Sequence, residues 1–152
     1  MKYKKISDKE FVEIYHKVPR AGVDVLVVSK GGFLLTKRSI PPFKGMWHIP
    51  GGTIFFKEPV KHAIDRIAYE ELGVVVKAVK QLGIIEYIDE YLDDGNRHTI
   101  CNCYLAKIKS GELRGSDQDE GYKFFKKTPQ NTVPEQREFI KKHLLEIKKY
   151  VS

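Results

Sequence analysis

Between residues 52 and 74 the chain sets Gly52, Glu58, Arg66, Glu70, Glu71, Gly73 and Val74 at intervals that can do chemistry. Side chains three and four apart on a helix share a face, so Arg66 can pair with Glu70 and fix its rotamer. Glu58 can hold Arg66 from the other side. The same rule gathers Ile67, Glu70 and Glu71 on one side of the turn. Magnesium takes hard oxygen ligands, usually one or two carboxylates together with substrate phosphates. Gly51 and Gly52, behind Pro50, put no side chain in the way of an ion, and a carbonyl there can be a ligand. The chemistry within reach is a magnesium ion held against a diphosphate. A lone Arg–Glu pair on a solvated helix would be worth only about 0.2–0.5 kcal/mol and would say little. The whole spacing says more: six fixed residues, each at roughly 6 % usage, coincide by chance on the order of once in ten million starts.

The string resembles the Nudix box, GX5EX7REUXEEXGU with U aliphatic, and departs from it at Ile67, where the family has a glutamate. In the common Nudix pattern that glutamate helps bind a second metal or acts as base. Isoleucine can do neither. Three readings follow: a one-metal site with its base elsewhere, a non-catalytic relative, or chemistry other than attack at phosphorus. The third has a precedent in the GDP-mannose mannosyl hydrolases, Nudix relatives with an apolar residue at this position. They release the sugar by attack at its anomeric carbon.

More of the chain is similar to them. Asp24 falls where they carry an aspartate in the first strand. Phe33 to Arg38 resembles their hairpin strand, ending in a basic pair. Pro42, Gly45, Trp47 and Pro50-Gly51-Gly52 repeat their approach to the box. Asp117 to Tyr122 resembles their late loop, with Gln118 matching a metal-binding glutamine. Asp119 stands where they have a histidine base, Thr53 where an arginine contacts the leaving diphosphate, and Glu70 is a carboxylate they lack.

The resemblance implies magnesium, with manganese as a substitute, on the Gly51 carbonyl, Glu70, Glu71 and Gln118. The catalytic candidates are Arg66, Arg38, Asp24, Asp119 and Glu120, the last two as bases in a loop folding over the site. Arg38 closes a strand and can meet a phosphate bidentately. Arg38, Trp47 and Thr53 are the substrate-binding candidates, and Phe43 and Tyr91 can stack on a base or sugar. His48 and His98 are weaker candidates: His48 is expected packed in a strand, His98 exposed after a turn.

These residues need elements to position them. Ser7-Asp8-Lys9-Glu10 is a capping-box pattern before Phe11, predicting a helix over about residues 7–17. Val23 to Val28 reads as a β-branched strand, and Phe33 to Thr36 as its hairpin partner after Lys30-Gly31-Gly32. Trp47 to Ile49 is a short strand ending at the Pro50-Gly51-Gly52 turn. Pro59 suits the first turn of a helix that Gly73 stops. Val74 to Ile88, with a bend at Gly83, and Thr99 to Ile108 are strands on either side of a turn at Asp93 to Asn96. Ser110 to Gly121 reads as a polar loop and Tyr122 to Phe125 as a strand. Pro134 opens a last helix, to about residue 151, with Ile140, Leu144, Ile147 and Val151 on its apolar face. The class is α+β with a mixed sheet, in agreement with the α/β/α sandwich that the Nudix resemblance implies over about residues 20–130.

A chain of 152 residues suits one domain, residues 1–152. No apolar run approaches a membrane span, and the N-terminus is polar, so the expected place is the cytoplasm. Cys101 and Cys103 point to one face of a strand and read as small core residues. The net charge of +7 favours an anionic partner, here a nucleotide or nucleotide sugar. Nucleic acid is disfavoured, because the lysines are scattered or lie on the solvated face of the last helix. The leading expectation is GDP-mannose-type sugar release from a nucleotide sugar. The alternatives are a pyrophosphohydrolase cleaving an NTP or ADP-ribose at phosphorus, and a non-catalytic nucleotide-binding module. Nudix relatives are often dimers, which implies a homodimer as one arrangement.

Overall fold

The computed structural model describes residues 3–92 and 95–152, with only the backbone of Tyr91 and Leu92. The elements run α1 (Asp8–Tyr15), β1 (Arg20–Ser29), β2 (Gly32–Arg38), β3 (Trp47–His48), β4 (Gly51–Thr53), α2 (Val60–Leu72), β5 (Val74–Leu92), β6 (Gly95–Gly111), β7 (Asp119–Phe125) and α3 (Pro134–Lys148). The fold is α+β, with a mixed sheet in the order β3-β2-β1-β6-β5; β4 also pairs with β1, and β7 with β2.

Strand β1 is the spine because Val23 to Val28 is apolar on both faces apart from Asp24. It runs parallel to β6 from Arg20↔Thr99 to Val27↔Ala106, and antiparallel to β2 and β4. Alternation sends Val23, Val25 and Val27 to one face, where Ala63, Ile64, Ile67, Ala68 and Leu72 of α2 cover them. Leu26 and Val28 point the other way, with Cys101, Cys103 and Leu105, beneath Phe139, Ile140 and Ile147 of α3. Both cysteines are free thiols in that core. Asp24 shares this second face, and it is buried there.

Local sequence accounts for the helix ends. Ser7 and Glu10 form the reciprocal capping box of α1. Pro59 precedes α2, and Gly73 ends it with φ 73°, the left-handed conformation that suits glycine. Three expectations change. The glycine pair after Pro50 is a strand, β4, whose residues pair Gly22↔Thr53, Val23↔Gly52 and Asp24↔Gly51. Strand β7 starts at Asp119, so Asp119 and Glu120 lie on a strand edge rather than in a free loop. The turn expected at Asp93 to Asn96 lies partly outside the described residues. No helix among the described residues is long and apolar enough to cross a membrane.

Ile67 is 2 % exposed and packs in the core between α2 and β1. Its side chain faces Gly52, where an added Cβ would lie 3.5 Å from it. A carboxylate there would be buried without a partner, the situation that costs about 3–5 kcal/mol. Ile67→Glu is therefore expected to destabilise the fold by that amount in urea unfolding at pH 7. A loss under about 1 kcal/mol would mean that the position opens to water.

Candidate functional site

The register Asp24↔Gly51 brings a carboxylate against bare backbone. A Cβ on Gly51 would sit 2.1 Å from Asp24 Oδ1, so only glycine leaves room for that carboxylate. Asp24 is 4 % exposed and accepts a hydrogen bond from Tyr87 Oη at 2.9 Å. Tyr87 in turn accepts from Gln136 Nε2 at 2.8 Å, and Gln136 Oε1 accepts from the Ile49 amide at 2.7 Å. This buried chain runs from α3 through β5 to β1 and fixes the Asp24 rotamer.

Glu71 approaches from α2 and accepts a hydrogen bond from the Gly51 backbone. Its Oε2 is buried with no partner. Burial, then the charges of Asp119 and Asp24, push the Glu71 carboxyl up to about 8 against the pull of Arg38. Burial likewise pushes Asp24 up to about 7 despite the Tyr87 hydrogen bond and the charge of Arg20. Two acidic groups thus converge at Gly51, and the Arg38 and Arg20 charges do not offset their burial.

A divalent cation fits this arrangement: it would satisfy the orphaned oxygen and relieve the crowding of carboxylates. Among the described residues no three His, Cys, Asp or Glu side chains form a ready-made cage. Magnesium does not require one, since it keeps water and phosphate ligands. Glu71 and Asp24 both reach the Gly51 backbone, whose carbonyl is a further candidate donor. Gln118 lines the same cavity from the late segment.

Glu70 is placed differently. Positions 67 and 71 are a near whole turn apart and both face β4, whereas residue 70 is rotated away. Its side chain is 51 % exposed and pairs with Arg66 at 3.3 Å. Arg66 spends its fork on protein: Nε and Nη2 donate to Glu58 at 2.8 and 2.9 Å, and Nη2 also donates to the Thr53 carbonyl at 2.8 Å. Its guanidinium lies 3.8 Å from the centre of the Phe55 ring. Arg66 is a clamp that ties α2 to the segment after β4.

One cavity of about 720 Å³ is lined by Asp24, Arg38, His48, Gly51, Thr53, Glu70, Gln118 and the inner side of α1. Phe43 lines it too, but Trp47 does not; its ring packs edge-on against Phe125 at 4.9 Å. Arg38 donates to the carbonyls of Pro42 at 2.6 Å and of Ile40 and Pro41 at 3.3 Å, holding the loop that rims the cavity.

Asp119 accepts from Ser116 Oγ at 2.9 Å and lies 2.9 Å from His48 Nε2. Burial raises its carboxyl, but the His48 and Ser116 hydrogen bonds outweigh that and leave it below the usual range, a poor setting for a base. His48 also contacts Thr36 Oγ1 at 2.8 Å and the Ile49 carbonyl at 2.9 Å, so it is a packed strand histidine that anchors the late segment. Glu120, one residue on, points outward to Lys37 at 3.8 Å and stays out of the cavity. His98 is half-buried rather than exposed, and Tyr91 has no described side chain.

Four residues were not anticipated from the sequence: Tyr87, Gln136, Arg20 and Glu90. Arg20 Nη1 donates to Thr53 Oγ1 at 2.7 Å and its Nε to Thr99 Oγ1 at 3.1 Å. Only strand register joins these positions, and a single sequence carries no mark of it.

The NUDIX domain model matches residues 18–143. A low-salt glycan biosynthesis protein, Agl8, from Haloferax volcanii is 33 % identical over 124 residues, 80 % of this chain and 80 % of its own length. An ADP-ribose pyrophosphatase from Methanocaldococcus jannaschii is 32 % identical over 124 residues, 80 % of this chain and 72 % of its own. Among solved structures, a MutT NUDIX hydrolase from Burkholderia pseudomallei superposes with a TM-score of 0.73 at 32 % identity, covering 82 % of this chain and 98 % of that one. None of these similar proteins is named as a GDP-mannose hydrolase.

The raised carboxyls set a pH dependence. A carboxyl whose folded value lies above its unfolded one contributes stability below the unfolded value near 4, and loses it as pH rises through the folded value. For Asp24 and Glu71 that loss begins near the ordinary carboxyl value of about 4 and is complete at about pH 7 and about pH 8. With a chelator present, the wild-type Tm is expected to fall from about pH 4 to pH 8. Asp24→Asn keeps an acceptor for Tyr87 and is expected to melt higher than wild type at pH 8, with the two converging near pH 4. Parallel melting curves across that range would count against the crowding of carboxylates.

Proposed function

The chain belongs to the Nudix family and is a hydrolase of nucleoside diphosphate derivatives, and from this we propose that it is a metal-dependent pyrophosphohydrolase that directs water at phosphorus. The observation that supports this best is the convergence at Gly51 of Glu71, with its orphaned oxygen, and buried Asp24, where Asp24 and Gly51 line a nucleotide-sized cavity. The named activity of the Methanocaldococcus jannaschii relative points the same way.

In this reading Glu71 and the Gly51 carbonyl hold magnesium or manganese, with Gln118 within the same cavity. The metal supplies charge neutralisation at the diphosphate, the kind of electrostatic effect that dominates such reactions. Asp24, held by Tyr87, takes the proton from water; Ile67 leaves the α2 face of β4 without a base. Arg38 rims the cavity and offers its remaining N–H donors to a phosphate. Arg66 positions Glu70 and the Thr53 carbonyl through its hydrogen bonds and does not touch substrate.

A second reading keeps the same site and moves the attack to carbon, releasing a sugar from a nucleotide sugar. The apolar Ile67 and the glycan-biosynthesis role named for the Haloferax volcanii relative favour it. Incubation with magnesium in heavy-oxygen water, using ADP-ribose, nucleoside triphosphates and nucleotide sugars, separates the two. Label in a nucleotide or sugar phosphate establishes attack at phosphorus; label in a free sugar establishes the second reading. Asp24→Asn and Glu71→Gln are each expected to lower kcat by about 10²-fold or more, and chelation to abolish turnover. Glu120→Gln is expected to stay within about twofold of wild type. Full activity in Glu71→Gln would sink the metal assignment, and intact substrates throughout would favour a nucleotide-binding module.

A further inference from the structure

The cavity wall holds one carboxylate that the proposed reaction does not use. The Glu90 side chain is 9 % exposed and lines the cavity. No described residue donates a hydrogen bond to it. Its ion-pair partner is Arg20, with Nη2 at 3.8 Å, beyond hydrogen-bond range, and the Arg38 and Asp24 charges also reach it. A largely buried carboxylate held only by an ion pair is costly unless something supplies hydrogen-bond donors.

Arg20 beside it is held in place by neutral groups, the Thr53 and Thr99 hydroxyls. Of the five N–H donors of its guanidinium, these contacts use two, leaving three. Phe11 of α1 closes this part of the cavity, with the Arg20 and Arg97 guanidinium carbons 5.8 and 4.8 Å from its ring centre. A fixed acceptor pair and a fixed donor therefore stand side by side next to an aromatic wall.

We infer that Glu90 and Arg20 read the edge of the substrate's nucleobase, and that the base they fit is guanine. This rests on the nucleotide reading of the cavity and selects within it. Two unspent carboxylate oxygens call for two adjacent N–H groups. Guanine presents N1–H and the N2 amino group together, with O6 beside N1–H as an acceptor for Arg20. Adenine offers a single amino group between ring acceptors, hypoxanthine lacks the N2 amino group, and the pyrimidines present one N–H group along that edge.

Isothermal titration with magnesium and GDP, IDP, ADP or XDP tests this, with inorganic pyrophosphate as a base-free control. Wild type is expected to bind GDP at least about tenfold tighter than IDP or ADP, the worth of one charge-assisted hydrogen bond. In Glu90→Gln, GDP is expected to fall to the level of IDP. XDP is expected to gain, because the carboxamide accepts from N1–H of xanthine and donates to its O2. Pyrophosphate affinity is expected to be unchanged. A gain for XDP cannot come from a misfolded variant, and the wild-type series decides even if that variant does not fold. Equal affinities for GDP, IDP and ADP in wild type would overturn the inference and leave the hydrolase reading standing. Failure of every nucleotide and of pyrophosphate to bind would overturn both.

Discussion

The absence of a side chain at Gly51 is the constraint on which the rest depends. Strand β4 pairs with β1 so closely that a methyl group there would meet Asp24 Oδ1 at 2.1 Å and the Val23 carbonyl at 2.7 Å. With glycine, the β1 carboxylate and the α2 carboxylate of Glu71 reach the same stretch of backbone from opposite faces of the sheet. Neither element alone could bring two acids together. The cost appears in the raised carboxyls of Asp24 and Glu71, and a divalent cation would relieve both at once.

Polar groups near the cavity divide into those already committed and those with capacity left. Arg66, Glu58, Tyr87, Gln136 and Asp119 are saturated by protein partners and act as braces. Glu71 Oε2, Glu90 and part of Arg20 and Arg38 are not saturated. In a folded protein nearly all buried polar groups find partners, so unsatisfied ones gathered in and beside one cavity mark where a ligand supplies the missing half.

The fold was largely legible because its signals are local. The capping box at Ser7, Pro59 before α2, Gly73 after it and the apolar run of β1 each act within a few residues of themselves. The placement of Glu71 against Gly51, on which its proposed metal role rests, follows from the box spacing for the same reason. Less legible was everything set by register between distant segments. Helical spacing groups Ile67 with both glutamates, yet tertiary packing turns Ile67 into the core and leaves Glu70 at the surface with Arg66. Trp47 reads equally well as pocket or core until Phe125 is placed beside it. Asp119 could not be told from a free loop carboxylate until β7 paired with β2 and brought it to His48. Arg20 and Glu90 carry no local motif at all.

The burial of Ile67 also bears on how such a site can change chemistry. A glutamate at that position would need the surrounding apolar residues, Val23, Ile64 and Ala68, to make way for water or a second cation. Substituting one residue would not achieve this, because the penalty falls on the fold before any benefit reaches the site. The acid that takes the proton must then come from an element that already tolerates a buried charge. Asp24 meets that condition: Tyr87 donates its hydrogen bond and is itself held by Gln136 of α3, with no α2 residue involved. The proposed division of labour, metal on the α2 side and proton on the α3 side, follows from where each layer can accept a carboxylate.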